Sequence, residues 1–187
     1  RFVGGALRTT ADAPVYFKAA DQWYARTMPG GSRAWHASLA TSTGVTFFGG
    51  ERNDGTYSVL SSVVRYNSGV DTFSTLTSLP VARTKAGAAH LSTATALVAA
   101  GEGANGAAIV ETNKASLPAT PPWSQAAVLG GPAVRATVTA TGVGAVVAGG
   151  YAGAQVLRTT NLFRTADTAA YGAALAFARY AHTATLL

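Results

Sequence analysis

The stretch WHASLATSTGVTFFGGERNDGTYSVLSSVVRYNSGVDTFSTL, which runs from Trp35 to Leu76, decides the fold because it contains four short runs typical of β-strands. The runs cover residues 35–42, 44–50, 61–66 and 71–76. The third is rich in β-branched and aromatic residues, and the fourth alternates between apolar and polar residues. Turns are expected at Gly44, at Asn-Asp-Gly 53–55 and at Asn-Ser-Gly 67–69. The stretch therefore predicts one unit of four antiparallel strands.

An aromatic residue recurs along the chain with a period close to 50 residues. Trp23, Phe73 and Trp123 are each 50 residues apart, and Tyr171 follows 48 residues later. Repeats of this length, built from four short antiparallel strands, indicate the blades of a β-propeller. We expect a single all-β domain over residues 1–187, with units at 179–187 plus 1–27, 33–77, 83–127 and 135–174. The four aromatic residues should lie buried between blades, on equivalent outer strands.

The two ends of the chain resemble complementary parts of one blade. Residues 1–5 have the pattern of a second strand without its first, and residues 179–187 that of a first strand without its second. Unpaired strands leave backbone groups unsatisfied. We therefore predict that residues 179–187 pair antiparallel with residues 1–5 and close a propeller of about four blades. Because the chain begins at Arg1 rather than Met, we also expect a processed protein or part of a longer one.

The repeated residues resemble the kelch repeat, with a diglycine after the second strand, Tyr in the third, an aromatic in the fourth, then Pro and Arg. The unit at 33–77 and the joint that follows it supply Gly49-Gly50, Tyr66, Phe73, Pro80 and Arg83. The preceding joint supplies Trp23, Pro29, Arg33 and His36, and residues 177–187 resemble the bacterial form of the motif. Two departures are Gly101-Glu102 in the diglycine position and the lack of a His after Arg135.

This resemblance implies mainly structural roles for the repeated residues. Glycines would allow close packing near the axis, and aromatic residues would fill the space between blades. Arg33, Arg83, Arg179, His36 and His182 would make buried polar contacts between blades.

Composition limits the possible functions. Charged residues make up 12% of the chain, with 14 basic and 8 acidic side chains and a net charge of +6. This balance suits an anionic partner, but the arginines are spread one per repeat, which argues against specific nucleic-acid binding. The absence of Cys excludes disulfides, thiolate metal sites and the cysteine-linked copper radical oxidases that occur among kelch propellers. No apolar run approaches the roughly 20 residues of a membrane helix.

Few residues could carry out catalysis. His36, His90 and His182 have no metal-ligand spacing, and we expect neither a shared metal site nor a cofactor. Glu51 and Glu102 occupy matching positions after the second strand, and a carboxylate pair could support glycoside hydrolysis. Ala6 and Tyr151 stand at the same position in the other units, which argues against such a pair.

In a four-stranded blade, the loop between strands two and three shares a face with the connections between blades, and this face is where kelch propellers commonly bind partners. The residues expected there, as a candidate binding surface, are Arg8, Arg33, Trp35, Glu51, Arg52, Asn53, Tyr57, Glu102, Asn105, Tyr151 and Gln155. Exposed Tyr, Trp and Arg side chains dominate contact energies in many interfaces.

We expect a non-catalytic binding or scaffold module for a protein or glycan ligand, bacterial and either secreted or displayed at the cell surface. One alternative is a carbohydrate-active enzyme, such as a sugar epimerase or hydrolase. Convergent acids in a pocket would favour it, and an axial channel lined by Ala, Thr and Ser would count against it. The other alternative is a structural subunit of an extracellular assembly, which would require a large interface between chains.

Overall fold

The computed structural model describes residues 2–3, 6–7, 10–117, 120–166 and 168–186. These residues form only β-strands, turns and loops, so no membrane-spanning helix is found among them. The strands are β1 (Phe2–Val3), β2 (Ala6–Leu7), β3 (Val15–Phe17), β4 (Gln22–Tyr24), β5 (Ala37–Thr41), β6 (Gly44–Phe48), β7 (Glu51–Asn53), β8 (Tyr57–Val59), β9 (Val63–Asn67), β10 (Thr72–Leu76), β11 (Gly87–Ser92), β12 (Thr95–Ala99), β13 (Asn113–Ser116), β14 (Thr120–Gln125), β15 (Thr137–Thr141), β16 (Gly144–Ala148), β17 (Tyr151–Ala152), β18 (Gln155–Val156), β19 (Thr160–Arg164) and β20 (Ala169–Tyr171).

Three four-stranded antiparallel sheets form a propeller-like architecture. Sheet 1 has the order β5-β6-β9-β10, sheet 2 the order β11-β12-β13-β14, and sheet 3 the order β15-β16-β19-β20. Each sheet lies within one of the ranges predicted for a unit. The innermost strand of sheet 2, β11, contacts both β5 and β15, so the first strands of the three sheets lie side by side.

The core lies between the sheets and is organised by the alternation of side chains along β12. Val98 belongs to the apolar cluster shared with sheet 1, which includes Phe48. Leu97, its neighbour, belongs to the cluster shared with sheet 3, which includes Val147 and Phe163. Successive residues of a strand point to opposite faces, so sheet 2 is covered on both sides and holds its neighbours together.

The repeat is most evident in the backbone of four residues, which share a left-handed conformation. Trp35, Lys85, Arg135 and Ala181 have φ values of 51°, 56°, 54° and 50°, which is uncommon for residues other than glycine. Their backbones form a chain of hydrogen bonds between units, with N···O distances of 2.9 Å (Lys85 to Trp35), 3.1 Å (Arg135 to Lys85) and 3.0 Å (Ala181 to Arg135). Arg135 therefore matches Trp35 and Lys85, not the repeated arginines, and Ala133 takes the place of an Arg.

The structure also corrects which residues of the third unit occupy the diglycine position. Ala100 and Gly101 have φ values of 62° and 97°, close to the 58° and 100° of Gly49 and Gly50. The equivalent pair is therefore Ala100-Gly101, not Gly101-Glu102. The amide of Gly50 donates to the carbonyl of Arg83 at 2.8 Å, and that of Gly101 to Ala133 at 2.9 Å. In both units, the amide of the second residue of the pair thus donates a hydrogen bond to the residue that begins the next unit.

The four periodic aromatic residues lie on the outer strands β4, β10, β14 and β20, as predicted. Phe73 and Trp123 are partly buried, but Trp23 and Tyr171 are 69% and 72% exposed, so the prediction of burial is wrong for these two. Trp23 stacks on Tyr16 of its own strand pair, with ring centroids 5.2 Å apart.

Tyr171 differs from Phe73 and Trp123 in its register. Phe73 lies opposite Tyr66, and the residue of sheet 3 that matches Tyr66 is Phe163, as the pairings Val45–Tyr66 and Ala145–Phe163 show. The partner of Phe163 is Ala169, whereas Tyr171 lies opposite Asn161, two residues further along β20. The hydroxyl of Tyr171 donates a hydrogen bond to the carbonyl of Gly130, in the connection before sheet 3, at 3.0 Å.

The predicted closure through the two ends of the chain is not shown. Phe2 and Val3 pair with Leu7 and Ala6 in a short hairpin. Residues 179–186 form no strand among the described residues, and residues 1, 4, 5 and 187 lie outside them. The first unit also contributes the pair β3–β4, which the ion pair between Arg26 and Asp71 ties to sheet 1.

Candidate binding face

One end of the propeller-like array gathers the connections between units and the loops that follow the second strands. Single antiparallel bridges join Ala34 to Glu51, Thr84 to Glu102, and Val134 to Tyr151. Each bridge ties the start of a unit to the residue just after the diglycine position. These two kinds of segment are therefore adjacent at this end of the array. We call this end the connection face; it carries Trp35, Glu51, Tyr57, Lys85, Glu102, Arg135, Tyr151 and Tyr180.

An exposed indole and a guanidinium meet at the centre of the connection face. The Arg135 guanidinium lies 4.4 Å from the centroid of the Trp35 ring, within the range of a cation–π contact. Trp35 remains 52% exposed. Arg135 has no ion pair or side-chain hydrogen bond with the described residues, and its Nε is buried without a partner. Trp35 holds this cation in place, and no acidic side chain within the described ranges forms an ion pair with it.

Lys85, by contrast, is fully engaged. It forms an ion pair with Glu102, and the two side chains are only 17% and 13% exposed. Burial lowers the pKa of Lys85, but the hydrogen bond and the charge of Glu102 outweigh it and raise the pKa above its usual value. The Tyr151 hydroxyl also lies 3.5 Å from Glu102 Oε2. Glu102 therefore holds a lysine and a tyrosine in position.

Glu51 is held in a similar way. Its Oε2 accepts hydrogen bonds from Thr84 Oγ1 at 3.0 Å and from the Tyr57 hydroxyl at 3.3 Å. Burial, followed by the charge of Glu51, raises the pKa of Tyr57, so this phenol stays protonated as a donor. Both acids are thus bound by neighbouring groups. Their arrangement suits the positioning of side chains better than acid–base catalysis.

A cleft of about 330 Å³ opens beside Arg135 on the connection face. Its walls include Tyr151 and Tyr180, whose rings meet edge to face with centroids 5.6 Å apart. Gly153, Ala154 and Val156 from the β17–β18 hairpin complete the lining. The cleft thus combines the Arg135 guanidinium with aromatic and small apolar groups.

A larger cleft of about 900 Å³ lies at the opposite end, where the turns between first and second strands meet. Among the described residues, threonine, serine, alanine and glycine dominate the lining, to which His90 also contributes.

The three histidines occupy separate places. His36 packs against Phe47 at 5.3 Å between ring centroids, His90 Nε2 lies 2.9 Å from the carbonyl of Ala40, and His182 lies 3.3 Å from Thr137. No cluster of three potential metal-ligating side chains occurs within the described ranges. Burial, then the charge of a nearby arginine, lowers the pKa of both His36 and His182.

Arg33, predicted for the face, is instead a buried structural residue. Its guanidinium donates to the carbonyls of Gly49 and Ser62 at 2.5 and 3.0 Å and to the Ser62 hydroxyl at 2.7 Å. Burial lowers its pKa to about 10. Arg83 repeats this arrangement, as the kelch resemblance implies, although the contacts fall within one unit and not between units.

The remaining predicted residues are more scattered. Arg52 forms an ion pair with Asp54 at 3.5 Å. Asn53 is partly buried, Asn105 and Gln155 are exposed in loops and a short strand, and Arg8 lies outside the described residues. Of the predicted set, Trp35, Glu51, Tyr57, Glu102 and Tyr151 are the ones brought together on the connection face.

Sequence reasoning missed Lys85, Arg135 and Tyr180. The signal for the first two was present, since Trp35, Lys85 and Arg135 are each 50 residues apart. Pairing Arg135 with the repeated arginines concealed it. No known family model matches the chain, and no curated protein is detectably similar to it.

Proposed function

We propose that this protein is a non-catalytic binding module with kelch-type propeller units, and that the connection face binds a protein or glycan ligand. The observation that carries the proposal is the Trp35–Arg135 contact. An exposed tryptophan supports a guanidinium that has no acidic partner among the described residues. Tryptophan and arginine are the side chains most enriched at binding hot spots.

The rigidity of the backbone supports this proposal. Trp35 and Arg135 both lie in the chain of left-handed residues whose hydrogen bonds run through Lys85. Their Cα positions are therefore fixed relative to each other by the fold. A surface that is ordered before binding loses less conformational entropy when a ligand docks.

The contacts of Glu51 and Glu102 with neighbouring side chains favour a binding role over a catalytic one. A general acid or base must be free to exchange a proton with the substrate. Glu102 is occupied by Lys85, and Glu51 accepts from Thr84 and Tyr57. We place the module outside the cell or at its surface, since charged residues are only 12% of the chain and its strands are rich in Ala, Thr and Gly.

The test is a binding screen with a glycan array and a displayed peptide library. The variant Trp35→Ala should lose the ligands that the wild-type protein retains. Trp23→Ala is the matched control, because Trp23 is a similarly exposed tryptophan on an outer strand. Equal retention by all three proteins would refute the proposed face.

A structural role in an assembly is the second candidate, favoured by a different observation. Trp23, Tyr171 and Phe177 are 69%, 72% and 75% exposed. Large exposed apolar groups mark contact surfaces. Sedimentation of the wild-type protein over a range of concentrations would show self-association, and a persistent monomer would exclude this candidate.

A further inference from the structure

We infer that Arg135 binds the carboxylate of an acidic sugar, so that the ligand of the connection face is a glycan containing uronic acid. This inference rests on the proposed function and specifies its ligand. Three observations carry it: the charge state of the face, the orientation of the guanidinium, and the shape of the cleft beside it.

Among the described residues that define the connection face, Arg135 is the cation left without an acidic partner. Lys85 is neutralised by Glu102, and Arg52 by Asp54. Arg135 has no such partner among the described residues. A nucleic acid or a strongly acidic peptide would call for several free cations along a track. A single free guanidinium suits a ligand with one carboxylate at a time.

The guanidinium is arranged to bind that carboxylate through its edge. Its central carbon lies 4.4 Å from the centroid of the Trp35 ring and its Nε is buried, so the N–H groups on Nη1 and Nη2 are the ones left for a ligand. Arginine binds carboxylates through two parallel in-plane hydrogen bonds, and stacking on an aromatic ring fixes the plane of the fork. Contact with Trp35 also keeps water from one side of the cation.

The cleft has room for one sugar ring. Its volume of about 330 Å³ lies at the lower end of the range for small-molecule sites. Tyr180 is 49% exposed, so much of its ring is available as an apolar wall. The cleft is unobstructed beside Gly153, where an added Cβ would meet no atom within 4 Å. A hexuronate presents a carboxylate and the flat C–H face of a pyranose together, whereas a Glu or Asp side chain presents its carboxylate on a flexible stem.

Calorimetric titration with tri-galacturonate, compared with its fully methyl-esterified form, tests the inference. The ester keeps the sugar rings and removes the charge, so we expect at least tenfold weaker binding. Arg135→Gln should weaken binding of the acid at least tenfold and leave the ester unchanged. Arg135→Lys should recover only part of the loss, because it restores the charge but not the two parallel donors of the guanidinium.

Arg164→Gln is the control for net charge, since Arg164 is exposed at the other end of sheet 3. Thermal melting of each variant verifies that it is folded.

Several results would overturn the inference. These are absence of binding at millimolar tri-galacturonate, equal binding of acid and ester, and full binding by Arg135→Gln. Tighter binding of hexaglutamate than of tri-galacturonate would also reject the sugar in favour of an acidic peptide. If acid and ester bind equally and both require Trp35, the inference fails while the proposed function stands. If Trp35→Ala retains every ligand, the proposed function fails as well.

Discussion

Trp123 of sheet 2 lies edge-on against Phe48 of sheet 1, with ring centroids 6.0 Å apart and an interplanar angle of 81°. Its indole N–H also donates to the carbonyl of Thr77 at 2.9 Å. One side chain therefore supplies both apolar and polar contacts across the boundary between sheets. Edge-to-face aromatic pairs contribute roughly 0.5–1.5 kcal/mol beyond the burial of their area.

We predict that Trp123→Ala lowers the free energy of unfolding by about 2–3 kcal/mol. This value lies below the roughly 3–5 kcal/mol of a fully buried tryptophan because Trp123 is only partly buried. Urea denaturation followed by circular dichroism measures the change. Trp23→Ala should cost less than about 1 kcal/mol, since Trp23 is largely exposed. Equal losses in the two variants would contradict this account.

A second prediction concerns the diglycine position. Gly50 has φ of 100°, and a Cβ added there would lie 2.6 Å from the carbonyl oxygen of Ala34. Gly50→Ala should therefore cost about 2–4 kcal/mol, from the left-handed backbone and the steric conflict together. Gly106→Ala is the control, because Gly106 has φ of 74° but no atom within 4 Å of the added Cβ. Its cost should stay near 1 kcal/mol in the same denaturation experiment.

Arg83 provides a third prediction, on buried polar contacts. It is fully buried and donates to the carbonyls of Ala100 and Glu111 at 3.3 and 3.0 Å and to Asn113 Oδ1 at 2.7 Å. Burial lowers its pKa to about 10, so it is charged at neutral pH. Arg83→Ala removes these donors and leaves the acceptors buried, which should cost about 3 kcal/mol or more.

The control for this prediction is Arg158→Ala. Arg158 is exposed and donates one hydrogen bond, to the carbonyl of Leu175 at 2.7 Å. Its loss should cost about 0.5 kcal/mol. A loss at Arg83 no larger than at Arg158 would show that the buried contacts contribute little to stability.

A fourth prediction concerns pH. Burial, with a smaller contribution from Arg33, lowers the pKa of His36 below its usual 6.5 in the folded protein. Below pH 6.5 the unfolded chain therefore binds more protons than the folded one, so stability should fall as the pH is lowered from 7.5 to 5. The variant His36→Gln should reduce this dependence, measured as unfolding free energy at several pH values. His182 shifts in the same direction, so part of the dependence should remain. An unchanged slope in His36→Gln would refute the assignment.

The sequence predicted the four strands of sheet 1 well because their signals are local. The alternation of residues and the Gly- and Asn-containing turns decide where β5, β6, β9 and β10 begin and end. The exposure of Tyr171 could not be predicted in this way. Its distance of 48 residues from Trp123 placed it with Phe73 and Trp123, but in the register of sheet 3 it lies opposite Asn161, and Ala169 occupies the position of Phe73.

The site was predicted only in part for a related reason. Glu51, Glu102 and Tyr151 were found because they follow the diglycine positions directly. The error at Arg135 arose because both candidate arginine registers, two residues apart, fit the spacing of the repeat. Backbone conformation separates them, since the left-handed residue is Arg135 and not Ala133. A residue in that conformation directs its side chain differently from a strand residue two positions away, which sequence spacing alone does not reveal.

The chain of left-handed residues has an evolutionary consequence. The hydrogen bonds that join Trp35, Lys85, Arg135 and Ala181 use only backbone atoms, so they place no demand on the side chain. Four chemically unlike residues occupy the same position, and each is presented at the same end of the molecule. Selection could exchange these side chains one at a time and create a new specificity while the architecture that displays them stays intact.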